Sequence, residues 1–499
     1  MRRPIRDFRA VWRPVGAVVT LLGVAILVST LGGWAANFLM APSPNHRVRG
    51  GEVELLMSAV PALAVGLIMY WAGKRRLEPT DRRAAVLAVG LIWVSAGVFG
   101  AVPFMVGAHM PFHDAFFESI SGFTTTGATV VTDIEGTLTR PVLLWRSAMQ
   151  WLGGMGIVVL FVAVFPNIGA GGKHMFGEEV PGTSAEGLRP RIAETSRLLW
   201  WLYLAFTAVL VLILRLLGMP LFDSICHAFT TLSTGGFSTR DASIAAFQDP
   251  WVEYVLAGFM ILASVNYGLY YAFLIGTRSV KVFVRSLEFK VFVSMVLIAT
   301  LWLTTATLEL SQGDLALAFR RAVFQVATFV SSTGFVTDDY MAYPSHAIVV
   351  IVLVMFVGGC AGSTAGGIKV ERVVVMTKAS WAQLRSSFRP SLVQALRMGT
   401  QVVPRSALVD VAVFHAIFIG SLAFGVLAIV VLEAIPVDKA FGAVLSCVSN
   451  MGPAPFHGGT DNFAQYGPLA KFVFSFVMLL GRLEFFALLS LLVPDFWRR

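Results

Sequence analysis

Residues 113–130 read HDAFFESISGFTTTGATV, and three later stretches repeat the pattern: LFDSICHAFTTLSTGGFST at 221–239, FRRAVFQVATFVSSTGFVT at 319–337 and DKAFGAVLSCVSNMGPAPF at 438–456. Each is an amphipathic run of about 10–13 residues, followed by a short cluster that closes on glycine. The clusters are Thr125-Thr126-Gly127, Ser233-Thr234-Gly235, Ser332-Thr333-Gly334 and Asn450-Met451-Gly452, the last without hydroxyls. Their glycines lie 108, 99 and 118 residues apart. One such cluster in an apolar chain is ordinarily a helix break or a tight packing point. Four at a near-constant period form an internal repeat.

The physics of this repeat points to a pore. A helix of about ten residues is too short to cross the roughly 30 Å hydrocarbon layer, so it must re-enter from the side it left. Irregular backbone at membrane depth is tolerated only where it lines a polar cavity or is buried in protein. Glycine reaches φ > 0 at little cost, so runs ending on glycine can present consecutive carbonyls to one axis. Four runs around that axis would give rings of oxygens able to replace an ion's hydration shell. Asp114, Asp223 and Asp438 stand near the starts of three of the helices, where they read as N-caps or as dipole partners. The helix C-termini would then face inward, and their partial negative charge favours a cation.

Outward from the repeats, the chain reads as membrane throughout. Of 499 residues, 56% are hydrophobic and 13% charged, and mean hydropathy is +0.75. A soluble domain carries roughly 25% charged residues. Ten spans are expected, at about 15–39, 53–73, 84–106, 141–165, 197–218, 251–276, 291–310, 345–377, 410–433 and 467–493. The short alternating segments of a β-barrel are not what these continuous runs look like. The basic start MRRPIRDFRAVWRP leads into Val15–Leu39, read as a retained span rather than a cleaved leader.

Ten spans put both termini on one side. With that side cytoplasmic, 25 lysines and arginines fall on cytoplasmic stretches, 8 on outer ones and 5 within spans. That asymmetry is the positive-inside pattern, and it accounts for the net charge of +9 without nucleic acid as a partner. The outer side carries Asp114, Glu118, Asp133, Glu135, Asp241, Asp249, Asp338, Asp339 and Asp461, which would concentrate cations at a pore mouth. Cys226, Cys360 and Cys447 have no metal-ligand spacing and read as small buried hydrophobes.

The eighth span contains Gly358, Gly359, Gly362, Ser363, Thr364, Gly366 and Gly367. A glycine costs a helix interior about 1 kcal/mol relative to alanine. Close helix packing needs one or two glycines on one face, whereas these surround the helix, so the span should unwind here. Lys369 follows this segment, and Arg482 lies inside the last span with Glu484 two positions on. On a continuous helix those two point apart, which leaves Arg482 facing the pore or the glycine segment.

Here a resemblance enters. TTTGA, STGGFST, SSTGF and SNMGP, together with GGCAGSTAGGIKVER from Gly358 and LLGRLEFFALL from Leu479, resemble the potassium-translocating subunit of the bacterial Trk system, in the Trk/Ktr/HKT superfamily. The likeness covers about residues 15–495, and the two spans ahead of the first repeat fit the Trk branch. Met451-Gly452-Pro453-Ala454 departs from relatives that have glycine after the proline. The resemblance implies an all-α polytopic protein of the bacterial inner membrane. It would comprise an N-terminal hairpin (1–80) and four helix–pore-loop–helix repeats around one pore (81–170, 190–278, 288–380 and 408–499). It implies a filter at the four clusters, holding potassium ions with no covalent cofactor, and a gate at 358–367 below it with Lys369 and Arg482. Gly127, where sodium-conducting relatives carry serine, favours potassium. Expected partners are membrane lipid, a second copy in a homodimer and a cytosolic nucleotide-binding regulatory subunit (TrkA-like). The basic segments 166–196 and 378–407 are long enough to dock such a subunit.

Other classes fit less well. A membrane enzyme needs clustered catalytic side chains, whereas His227 lies in the second short helix and His415 in the ninth span, near Asp410, with no HExxH. A rocking carrier shows inverted twofold repeats rather than four parallel ones. Sodium- or proton-coupled symport within the same superfamily is the alternative left open.

Overall fold

The computed structural model describes residues 9–39, 52–73, 82–163, 188–389, 395–399, 401–457 and 462–497. Outside these lie the basic stretches 1–8, 74–81 and 498–499, Arg47, Arg49 and Asp461, and residues 164–187, which include most of the first docking segment. The regular secondary structure of the described residues is helical apart from a two-residue antiparallel pairing of Arg397–Met398 with Gln401–Val402.

Among the described residues, six helices are long and apolar enough to cross a membrane as single rods: Val11–Phe38, Leu55–Ala72, Arg83–Gly107, Ser196–Leu216, Leu287–Ala306 and Arg405–Glu433. The first two form a hairpin joined by small residues. A β-carbon on Gly66 would lie 2.6 Å from Thr20 Oγ1, and one on Gly23 would lie 2.7 Å from Leu63 Cγ. Such glycines let helix backbones approach where lipid provides no hydrophobic drive. The hairpin rests on the repeat that follows it: Arg140 Nη1 donates to Ala36 O at 2.8 Å.

Each of the other four rods is the outer helix of one helix–short helix–helix unit. The short helices are Phe112–Phe123, Leu221–Leu232, Leu315–Val330 and Val437–Val448. The inner helices begin at Arg140, Pro250, Ser345 and Pro468. The fourth inner helix closes the arrangement against the first unit. Phe472 packs on Phe112 and Phe116 (ring centroids 6.4 and 5.8 Å), and Lys471 Nζ pairs with Asp114 at 2.6 Å.

Two inner spans differ from the continuous helices expected of them. Residues 251–276 bend by 89° between Ala263 and Tyr267, where the Asn266 side chain accepts from Gly268 N at 2.7 Å and starts a new helix. The last span bends by 120°, through Glu484 and Phe485 at φ 51° and 63°. Arg482 is therefore the last residue of a helix (Pro468–Arg482), not the middle of one. The eighth span breaks where its glycines predict: one helix ends at Val357 and the next starts at Val370.

The starts of the short helices also correct the reading of their aspartates. Prolines 111, 220 and 436 occupy the N-cap positions of the first, second and fourth, and no side chain caps them. Asp114, Asp223 and Asp438 lie inside the first turn, where they meet the helix dipole. The capping aspartate is in the third unit: Asp314 accepts from Ala316 N and Leu317 N at 2.9 and 3.2 Å.

Candidate functional site

All four short helices end in the same way. Cap residues Thr124, Ser233, Ser331 and Ser449 are followed by Thr125, Thr234, Ser332 and Asn450, at φ 53°, 55°, 55° and 52°. The next amides, of Thr126, Gly235, Thr333 and Met451, reach back to the carbonyls of Ser121, Thr230, Thr328 and Ser446 at 2.8–3.0 Å. This is the Schellman termination, which normally takes glycine at the left-handed position. Threonine and serine hold it at a cost of order 1–3 kcal/mol, and such strain persists only where the surroundings over-determine it.

One residue further on, the strands interlock. A β-carbon on Gly127 would collide with Gly235 O, one on Gly236 with Thr333 O, and one on Gly334 with Met451 O; one on Gly452 would lie 2.8 Å from Thr126 O. Each strand's third residue thus seats its carbonyl against the glycine of the preceding unit, and the fourth glycine returns to the first strand. The four strands therefore encircle a single axis in chain order.

This ring fixes the register and shifts it in the second unit. The positive-φ glycines are Gly127, Gly236, Gly334 and Gly452, at 80°, 77°, 80° and 100°. Gly235, not Gly236, is the partner expected from the sequence, but its backbone is not left-handed and it matches Thr126, Thr333 and Met451. With Gly236 in place the spacings become 109, 98 and 118 residues.

The strands are supported in different ways. In the first and third, cap and third-position hydroxyls bond each other: Thr124 Oγ1 to Thr126 Oγ1 at 2.7 Å and Ser331 Oγ to Thr333 Oγ1 at 2.6 Å. In the second, with no hydroxyl at Gly235, Gln150 of the helix Arg140–Ala163 bonds the backbone instead. In the fourth, Asn450 Nδ2 donates to Thr126 Oγ1 and Met478 O at 3.0 and 2.9 Å.

Beneath the ring, at the short-helix C-termini, lies the glycine segment. Gly366 N donates to Ser332 Oγ at 2.6 Å, Gly367 N to Ser449 O at 3.1 Å, and Thr364 Oγ1 to Leu232 O at 3.1 Å. It thus touches the ends of three short helices. Arg482 bridges toward the fourth: Nη1 donates to Thr364 O at 2.9 Å, and Nη2 to Gly153 O at 3.1 Å. Gly153 itself lies against the backbone of Phe123, the last residue of the first short helix. Gly358, Gly362 and Gly367 take positive φ, whereas Gly359 and Gly366 do not; Gly359 is crowded by Ala365 and Ser264, and Gly366 by Ser449 O. Lys369, half-buried, turns its ammonium back on Ala365 O. Glu484 does not share Arg482's surroundings; it pairs with Arg372 at 2.5 Å.

On the far side of the ring is a cavity of about 120 Å³ that all four positive-φ glycines line. Asp241, Arg240 and Arg146 border it. Burial pushes the Asp241 carboxyl above its ordinary range; Ile134 N opposes the shift, and Glu135 and Asp133 reinforce it. Glu118, expected among the outer solvated acids, is wholly buried. It accepts from Arg146 Nε at 2.7 Å, Thr129 Oγ1 at 2.9 Å and Val130 N at 3.0 Å, and so ties the first short helix to its strand. Arg146 also donates to Ser238 O at 2.9 Å, and its guanidinium lies 3.5 Å from the Phe237 ring centre. Asp223 pairs with Arg240 at 2.6 Å.

Sequence reasoning passes over Gln150, Arg146 and Gly236, and reads Glu118 only as an outer acid. A signal for two of them was present: Arg146 and Gln150 are polar residues four apart within an apolar span, hence on one helix face.

Fold and site together define a polytopic helical membrane protein with a fourfold pore-loop centre. A family profile described as "TrkH: Cation transport protein" matches residues 56–497, and the chain belongs to that family. It is 37% identical to the Trk system potassium uptake protein TrkH of Salmonella typhimurium, over 98% of this chain and 99% of that one. It is 36% identical to the protein of that name in Escherichia coli K12, at the same coverage. The crystal structure of the potassium transporter TrkH from Vibrio parahaemolyticus superposes with a TM-score of 0.88, at 31% identity, over 99% of this chain and 100% of that one.

Proposed function

We propose that the chain takes potassium ions across the bacterial inner membrane through a filter made by its four strands, residues 124–127, 233–236, 331–334 and 449–452. The observation that carries this reading is the closed circuit of third-position carbonyls against glycines, which gathers backbone oxygens from four units around one axis. The short-helix C-termini supply partial negative charge there, and relatives at 36–37% identity bear the name potassium uptake protein. Potassium is the cargo, held by backbone and hydroxyl oxygens.

The segment 358–367, with Lys369 and Arg482, forms the gate in this reading. It blocks the path below the filter and yields to a conformational change imposed from the cytoplasm by a nucleotide-binding regulatory subunit. The protein works as a homodimer with both termini cytoplasmic. Purified protein in liposomes tests the proposal: rubidium uptake driven by an outward potassium gradient should greatly exceed sodium uptake. Equal rates for both ions would refute the filter. Uptake that needs an imposed sodium or proton gradient would replace passive flow with symport.

A further inference from the structure

We infer that Gln150 is a positioning residue for ion selectivity: it stands in for the side chain that the second strand lacks. The inference rests on the filter reading above and goes one step into it. In the first and third strands the third position carries threonine, and its hydroxyl bonds the cap hydroxyl of the same strand. The second strand has Gly235 at that position, so its cap hydroxyl lacks this partner: Ser233 Oγ bonds Thr230 O at 3.2 Å, as Ser331 Oγ bonds Thr328 O, but has no third-position hydroxyl beside it.

The space left is not empty. A β-carbon on Gly235 would lie 2.5 Å from Gln150 Oε1 and 2.8 Å from its Nε2, so the Gln150 carboxamide occupies the missing side chain's place. It is fully buried and bonded at both ends. Nε2 donates to Gly235 O at 2.7 Å, and Oε1 accepts from Phe237 N at 3.1 Å. The two bonds straddle Gly236, the left-handed residue of this strand. The bonded carbonyl, Gly235 O, is the one that seats against Gly127. Gln150 therefore fixes the second strand's contribution to the circuit and its contact with the first.

A filter discriminates by where its oxygens stand, so loss of the clamp should cost selectivity rather than abolish flux. Gln150→Met keeps the length of the side chain and removes both hydrogen bonds. The rubidium-over-sodium uptake ratio should fall roughly tenfold, as two buried backbone hydrogen bonds imply. The reciprocal variant rebuilds the device within the strand. Gly235 is not left-handed, and the nearest atoms to its would-be β-carbon all belong to Gln150, so Gln150→Ala/Gly235→Ser would offer Ser233 a hydroxyl partner. This double variant should regain most of the parent ratio, whereas Gln150→Ala alone should not. Merely filling a structural gap would move expression and thermal stability but not the ratio. A parent-like ratio in Gln150→Met, or a double variant no better than Gln150→Ala, would overturn the inference and leave the filter standing. A parent protein that takes up both ions equally would overturn both.

Discussion

Gly127 and Gly235 meet across the boundary between the first and second units: a β-carbon on Gly127 would overlap the Gly235 carbonyl oxygen and come within 3.2 Å of its carbon. Gly127 is also left-handed, at φ 80°. Two independent constraints thus demand glycine, one from its own backbone and one from a neighbour more than a hundred residues away in sequence.

Gly127→Ser should therefore displace the second strand as well as strain the first. The expected outcome is a several-fold loss of rubidium-over-sodium discrimination, measured by uptake into liposomes. Gly258→Ala, in a helix with open space around the added carbon, should leave the ratio unchanged. An unaltered ratio in Gly127→Ser would remove this contact from the selectivity argument.

Arg482 donates to Thr364 O and Gly153 O and so holds the glycine segment to a neighbouring inner helix. Arg482→Ala removes both the tether and a positive charge on the proposed ion path, and flux should rise. Arg482→Lys keeps the charge but not the planar fork, so it should give flux between parent and alanine variant. Parent-level flux through a folded Arg482→Ala protein would sink the gate assignment. Removal of about five residues from 358–367 is expected to raise flux in the same assay, with the ring above intact.

The Glu118–Arg146 pair is buried on both sides, at 0% and 2% exposure. Glu118→Ala leaves an uncompensated guanidinium and three unpaired donors, a change that typically costs about 3–5 kcal/mol. Its thermal midpoint in detergent should drop well below that of the parent. Glu118→Leu/Arg146→Met, which removes both charges, should recover a large part of the loss. A midpoint unaffected by Glu118→Ala would show that the pair contributes little.

Asp241 borders the cavity above the ring, and its carboxyl titrates above the ordinary value of 3.8, chiefly through burial. Because the shift is upward, the protonated form persists to higher pH than for an ordinary aspartate. As pH falls toward that range, Asp241 loses its negative charge before unshifted carboxylates do, and cation uptake at low ion concentration should weaken. Asp241→Asn should lower uptake at neutral pH and flatten this acid limb. An acid limb identical in the two proteins would assign it to another group.

Much of the fold was legible because it depends on local properties. Short amphipathic helices ending in small residues, apolar runs of spanning length and five glycines within residues 358–367 each reveal themselves through hydropathy or backbone sterics. The other two broken inner spans were not, because what breaks them is subtler: Asn266 starts a new helix, and Glu484 and Phe485 adopt left-handed backbone with no glycine to announce it.

The sequence by itself determined that four equivalent units exist and that each must expose backbone at membrane depth, since both follow from segment length and the lack of water there. Only the tertiary structure decided which atoms meet. The string Ser233-Thr234-Gly235-Gly236 offers two glycines for one left-handed position, and the choice falls to Gly236 because Thr333 O lies against its Cα and the Gln150 side chain fills the space beside Gly235. Glu118 reads as a solvated loop acid until Arg146 and the Thr129–Val130 backbone are seen to close around it. Contacts between residues a hundred or more positions apart leave no periodicity along the chain, and packing around the common axis alone selects them.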